Sequence, residues 1–328
     1  MRALIAALIA ALPLAATSAA ADTERVLEDH ILPAVTGFAS ATEALQTAAR
    51  TDCTPEALRP AFHDAFDAWM GVSHLTFGPL EKDGRMLAIA FWPDSRGAGP
   101  RALARLIADE DAAVDDPAEF AEVSVAARGL FALEQVLYGA PYAADSYSCR
   151  LAVAIAADLD RMADDVAAEW PDHAALMRNP GGEGNAAYLA QREVDQTLYT
   201  ALMTGLEFIK DKRLGEPLGT FDRPRPRRAE ARRSGRSLRN VVLSLQALES
   251  LAHAMADQPI PASERAFDAA YTTAERLDDP VFAGVDDPTG RLRVEILQQK
   301  VSYARDAVQA DIGVAMGLSQ GFNSADGD

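Results

Sequence analysis

Apolar residues recur at intervals of three and four along most of the chain, the spacing that gathers them on one side of a helix. Over residues 55–77 the pattern runs Leu58, Phe62, Ala65, Phe66, Trp69 and Val72, with Thr54 placed to cap the first turn. Leu151, Ile155, Leu159, Met162 and Val166 form a second stripe, whose opposite face carries Asp158, Asp160, Asp164 and Asp165. A third stripe, close to heptad spacing, joins Leu238, Val241, Leu245, Leu248, Ala252 and Met255 and suits packing in a bundle. Further helices are expected over residues 24–50, 122–138, 185–212, 262–276 and 291–312. Alternating β-branched runs are scarce, so the predicted fold class is all-α.

Breakers divide the pattern. NPGGEGN, from Asn179 to Asn185, separates two helices, and residues 214–237 form a long irregular Arg/Pro-rich segment with seven arginines between Arg223 and Arg236. Two helical-bundle lobes are therefore expected, an N-terminal one over 22–178 and a C-terminal one over 179–328. AFHDAF begins at Ala61 and AFDAAY at Ala266, an offset of 205 that also relates Phe77 to Phe282. Such an echo is what an internal duplication of a helical bundle would leave, and composition bias is the competing explanation.

Residues 1–21 carry one charge, Arg2, then an apolar run and small residues, the make-up of a cleavable signal peptide. No cysteine lies near the cleavage site and no later apolar run is long enough to span a membrane. The expected location is the periplasm. Export makes a disulfide between the two cysteines, Cys53 and Cys149, the natural reading; a thiolate metal pair lacks a second ligand at metal spacing beside either one. Acidic residues number 49 against 31 basic, a formal net charge of −18. That field repels phosphate backbones, so nucleic acid is not an expected partner, whereas cations are. The arginine segment reads either as a docking patch for an anionic partner or as a solvated linker paired with neighbouring carboxylates.

Glu134 interrupts the apolar stripe Val123, Ala127, Leu130, Leu137, and a carboxylate facing the core needs a cation, a histidine or several donors. It is either the first functional candidate or a structural carboxylate. Burial would raise its pKa. His63 and Asp67 share a helix face and could reach one ion, while His74, three turns on from His63, is about 16 Å away along the axis. Trp69 and Trp92, beside Gly78, Pro79, Pro93 and Asp94, could line a pocket or simply fill the core. Zinc, serine-hydrolase, phosphate-loop, haem-attachment and paired C-x-x-C motifs are all absent from the sequence.

Taken together, AFDAWMGVSHLTFGP with FWPD, RGLFALEQVLYG, KDKRLGEPLG, SGRSLRNVV and the terminal GFNSADGD resemble ordered segments of the imelysin family, also filed as M75 peptidases. The resemblance runs from about residue 24 to the end. It implies two helical lobes with a site near their junction, on exported proteins linked to bacterial iron uptake. Gly129 and Glu134 match the glycine and glutamate of the G-x-H-x-x-E helix, but Phe131 stands where that motif has histidine. The resemblance thus implies pocket candidates Gly129, Phe131, Glu134, Trp69, Trp92, Asp94 and Ser237. Metal ligands would come from Glu134, Asp94, His63 and Asp67, with the tail carboxylates Asp326 and Asp328 in support. The expected function is binding of iron or another divalent or trivalent cation, or its complex, at the lobe junction, with other periplasmic or outer-membrane iron-uptake proteins as partners. The alternatives are an M75-type metallopeptidase and a metal-free interaction scaffold.

Overall fold

The structure, a computed structural model, describes residues 21–319. Residues 1–20 of the expected signal peptide, and Asp326 and Asp328, lie outside the described residues. Helix α1 covers residues 23–51, with π-helical Leu27–Ile31 between Thr23–Val26 and Leu32–Thr51. The Asp22 carboxylate accepts from the Arg25 N–H at its start. The other long helices are α2 (Pro55–Val72), α3 (Ala98–Asp109), α4 (Gly129–Leu137), α5 (Tyr147–Arg178) and α6 (Gln191–Phe208), which runs on through π-helical Ile209–Leu214. They end with α7 (Ser237–Met255), α8 (Pro261–Leu277) and α9 (Pro288–Val308). Among the described residues no β-strand forms beyond an isolated bridge between Thr220 and Arg223. None of their helices is long and apolar enough to cross a membrane.

Helix α1 lays Val35, Phe38, Leu45 and Ala49 against α2 and α5, while α4 fits against both α2 and α5. In the second half α6 and α7 pack together, α9 joins α6, and α8 pairs with α9. Contacts of α2 and of the start of α1 with α7 connect the halves, and the buried apolar residues form one continuous cluster. Cys53 and Cys149 are bonded, with Cα atoms 5.3 Å apart, and tie the start of α2 to the start of α5. Closing a loop of 96 residues in the unfolded chain contributes about 4 kcal/mol in the chain-entropy account. Shifted by 205, residues 32–51 and 55–72 fall on 237–256 and 260–277, within a residue of α7 and α8. The hairpin α1–α2 and the hairpin α7–α8 thus share the spacing seen in the sequence echo.

Four elements differ from expectation; one is the helix expected over 185–212, which begins only at Gln191. Helix α2 ends at Val72, short of Phe77, and Gly78, at φ +62°, with Pro79 then opens a separate single helical turn, Gly78–Leu80. The helix expected over 122–138 begins only at Gly129, preceded by short helical pieces at Pro117–Ala121 and Val125–Ala127. Gly129 has φ +69°, and a Cβ there would stand 2.2 Å from the carbonyl oxygens of Ala88 and Ile89. That close approach accounts for both the break and the residue. On α5 the acidic face is not all solvated. Asp158 and Asp160 are buried, and Asp158 accepts from both Arg128 and Arg161.

Candidate functional site

Gly129 starts α4 against the backbone of the short helix Arg85–Ile89, and this fixes where Glu134 points. Glu134 is 2% exposed. Its Oε1 accepts from the Ser234 N–H at 2.9 Å and from the Ser234 hydroxyl at 2.8 Å. Burial pushes the carboxyl above its usual range, against the pull of those bonds and of Arg233 and Arg232. Both bonds fall on Oε1. The inward turn expected from the apolar stripe is therefore present, and its answering donors come from the arginine-rich segment.

Glu134 lines a cavity of about 190 Å³ between α4, the stretch 91–100 and residues 227–233. Trp92, Asp94 and Phe131 line it on one side; Arg227, Arg228, Arg232 and Arg233 roof the other. With Glu216 the lining residues include four arginines and three acids, so the cavity is not the acidic pocket that net charge suggests. Asp94 is committed locally. Its Oδ1 accepts from Ala98 N–H at 2.8 Å and its Oδ2 from Gly99 N–H at 2.9 Å, which caps α3.

The arginine segment is strapped down and not a loose linker. Glu230, 3% exposed, pairs with Arg213 at 2.8 Å and accepts from Asn240 at 3.1 Å. Ser237, also buried, donates its hydroxyl to the Glu230 carbonyl, so it secures this segment and does not line the cavity. Arg228 pairs with Glu216 at 3.2 Å. Arg236, 1% exposed, reaches α2, where its Nη2 pairs with Asp67 and its Nη1 donates to His63 Nδ1 at 2.9 Å. Its guanidinium carbon lies 4.8 Å from the Phe66 ring centre.

Those contacts settle how His63 and Asp67 are used in the fold. An acceptor Nδ1 leaves the His63 proton on Nε2, which faces the Tyr138 hydroxyl at 2.8 Å. Burial and Arg236 both lower its pKa. Burial would raise the Asp67 carboxyl, but hydrogen bonds from Arg239 and Arg236 outweigh it and hold the group below its usual range. His63 and Asp67 thus share a face as expected, but they share a guanidinium there. Among the described residues no three His, Cys, Asp or Glu side chains gather as an ion would need, so Glu134, Asp94, His63 and Asp67 form no such cluster. This donor set does not fit a bare resident cation.

Phe131 stacks on Trp92, with ring centres 6.3 Å apart and planes at 16°, and meets Phe66 edge-on at 5.4 Å. Phe131 and Trp92 line both the arginine-roofed cavity and a larger chamber of about 600 Å³ that Trp69 also lines. Two histidines that sequence reasoning does not pair also meet by this chamber. His30 Nε2 lies 2.8 Å from His74 Nε2, and His30 Nδ1 lies 2.9 Å from the Ser250 hydroxyl. His30 stands between Val26, Leu27 and Ile31 on the buried side of α1. A polar residue in an apolar stripe, the signal that marks Glu134, could have found it.

The family model described as imelysin matches residues 31–308. The chain belongs to the imelysin family. Iron-regulated protein A of Synechococcus elongatus is 22% identical over 311 residues, which is 88% of this chain and 83% of that protein. An imelysin-like protein from Psychrobacter arcticus superposes with a TM-score of 0.72 at 19% identity, over 93% of this chain and all of the other. A protein from Parabacteroides distasonis, described as an iron-regulated protein A precursor, gives a TM-score of 0.60 at 12% identity, over 92% and 96%. At these identities the two solved structures carry the all-helical imelysin fold.

Proposed function

We propose that this imelysin is a periplasmic accessory of iron acquisition that binds a small, oxygen-rich anion, iron-loaded or free, beneath its arginine segment. The iron-related part rests on the family and on the name of the cyanobacterial relative. The anionic part rests on one observation. Arg227, Arg228, Arg232 and Arg233 line the same cavity as Glu134, while Asp94 has both oxygens occupied by backbone N–H groups. A bare cation would meet more positive than negative charge there. A polycarboxylate complex would find guanidiniums suited to bidentate pairing, beside a Glu134 whose carboxyl burial pushes above its usual range.

Equilibrium dialysis of the mature protein with citrate, ferric citrate, Fe(II) and Zn(II) tests this. Citrate or ferric citrate is expected to bind one per chain, and the double substitution Arg232→Ala and Arg233→Ala to weaken it at least about tenfold. Stoichiometric Fe(II) that depends on Glu134 but not on the arginines would reverse the reading in favour of a bare-ion site.

A further inference from the structure

The arginine-roofed cavity holds one unclaimed acceptor. Both protein hydrogen bonds to Glu134 fall on Oε1, from the N–H and the hydroxyl of Ser234. Oε2 accepts no hydrogen bond from the described residues, and it is not sealed from solvent. The side chain is 2% exposed and lines the cavity, so the surface that Oε2 keeps opens onto that space. A polar atom so nearly enclosed is almost always hydrogen-bonded when its surroundings are filled.

The charged groups around it are unequally used. Asp94 spends both oxygens on the cap of α3, and Glu216 pairs with Arg228. Arg227, Arg232 and Arg233 also line the cavity and form no ion pair among the described residues. Unpaired arginines select carboxylates. Oε2 selects a different group. Burial pushes the Glu134 carboxyl toward its protonated form, while Ser234, Arg233 and Arg232 pull it toward the ionised one. A ligand carboxylate bonds only the protonated form, and an ammonium is bonded by the ionised form but meets the surplus arginine charge. A hydroxyl donates to an ionised Oε2 and accepts from a protonated one, so it satisfies the atom in either state. Within the protein the Ser234 hydroxyl already makes this pairing with Oε1.

We infer that the cavity selects a hydroxycarboxylate, with Glu134 Oε2 bonding its hydroxyl and the unpaired arginines holding its carboxylates. This rests on the anion reading proposed above and names the group that distinguishes one polycarboxylate from another. Glu134 is then the residue that sets specificity, and the arginines supply the attraction common to all such acids.

Equilibrium dialysis of the mature protein with metal-free citrate and with tricarballylate, the same tricarboxylate with hydrogen in place of the hydroxyl, tests it. Citrate is expected to bind at least about tenfold tighter, the discrimination of a hydrogen bond to a nearly buried carboxyl. Glu134→Leu removes the acceptor and should bring the two acids within about twofold of each other; the ratio is the readout, because loss of a negative charge changes both affinities alike. If Glu134→Leu does not fold, a crystal structure of the wild type with citrate decides, with the citrate hydroxyl expected within hydrogen-bond distance of Oε2. Equal binding of the two acids by the wild type, a preference for citrate that survives Glu134→Leu, or a bound citrate whose hydroxyl lies away from Oε2 would each overturn this inference and leave the anion reading standing. Binding of neither acid, or binding indifferent to the double substitution Arg232→Ala and Arg233→Ala, would overturn both.

Discussion

After α2 the chain uses residues 73–146 before it returns to the bundle as α5, whereas after α8 it needs only residues 278–287 to start α9. The two hairpins are otherwise closely matched. Phe62 and Phe267, and Ala65 and Ala270, hold equivalent places at the offset of 205 and are fully buried. The solvent-side positions diverge: Asp268 and Thr272 are exposed on α8, while their counterparts His63 and Asp67 are part-covered and gripped by Arg236. Trp69, which lines the larger chamber, corresponds to Ala274. The hairpin supplies scaffold in both halves, and the cavity is made by segments outside it, the long connection 73–146 and the arginine segment before α7.

The comparison breaks most sharply at Gly129, which seats the long connection on the bundle. Gly129→Ala places a methyl group 2.2 Å from two carbonyl oxygens at a positive φ. Neither backbone can yield cheaply, so a loss above about 4 kcal/mol is expected in urea denaturation. A loss below about 1 kcal/mol would mean that α4 is not anchored there.

Arg236 is the next test, because it fastens the arginine segment to α2. Arg236→Ala leaves Asp67 to Arg239 and strips His63 Nδ1 of its donor, at an expected cost of about 3 kcal/mol. Arg239→Ala removes a partner from the same carboxylate, but its side chain is 57% exposed. That change should cost less than about 1 kcal/mol. Equal effects would place the fastening at the surface and not in the buried guanidinium.

These two positions also mark how far the sequence can be read. The apolar stripes give the helices because periodicity is local, and Glu134 declares itself because it occupies a slot in such a stripe. Its donor, Ser234, lies a hundred residues further along. Helical periodicity contains no information on which segment will cover which face. His63 and Asp67 fall on one face for the same local reason, yet a cation near them could be metal or guanidinium, and only packing brings Arg236 in. The arginine run has the composition of a solvated linker. Its anchoring depends on Glu230, Arg213 and Asn240 meeting from three elements.

A smaller effect probes the seam between the hairpins, where His30 of α1 meets His74 and Ser250 of α7. Burial depresses His30 from 6.5 to about 4, and burial, with His30 and Arg213 adding, depresses His74 as well. The unfolded chain therefore takes up protons that the folded chain refuses as pH drops below 6.5. Stability falls through that window, by about 2 kcal/mol for His30 between pH 7 and pH 5, with His74 acting in the same direction. Urea midpoints measured across that range should drop for the wild type and drop less for His30→Gln. A wild-type midpoint that stays level would show that the pair is not held neutral.

The smallest effect has the opposite sign and tests whether the hairpins are equivalent as scaffold. Gly37 lies inside α1 with nothing within 4 Å of where a methyl group would sit, and Val242 occupies the corresponding place on α7. A glycine in a helix interior sacrifices backbone entropy for no contact. Gly37→Ala should raise stability by about 0.5–1 kcal/mol, with citrate binding unchanged. If the substitution instead lowered stability, α1 would have to need local freedom that α7 does not, and the likeness of the two hairpins would end at their spacing.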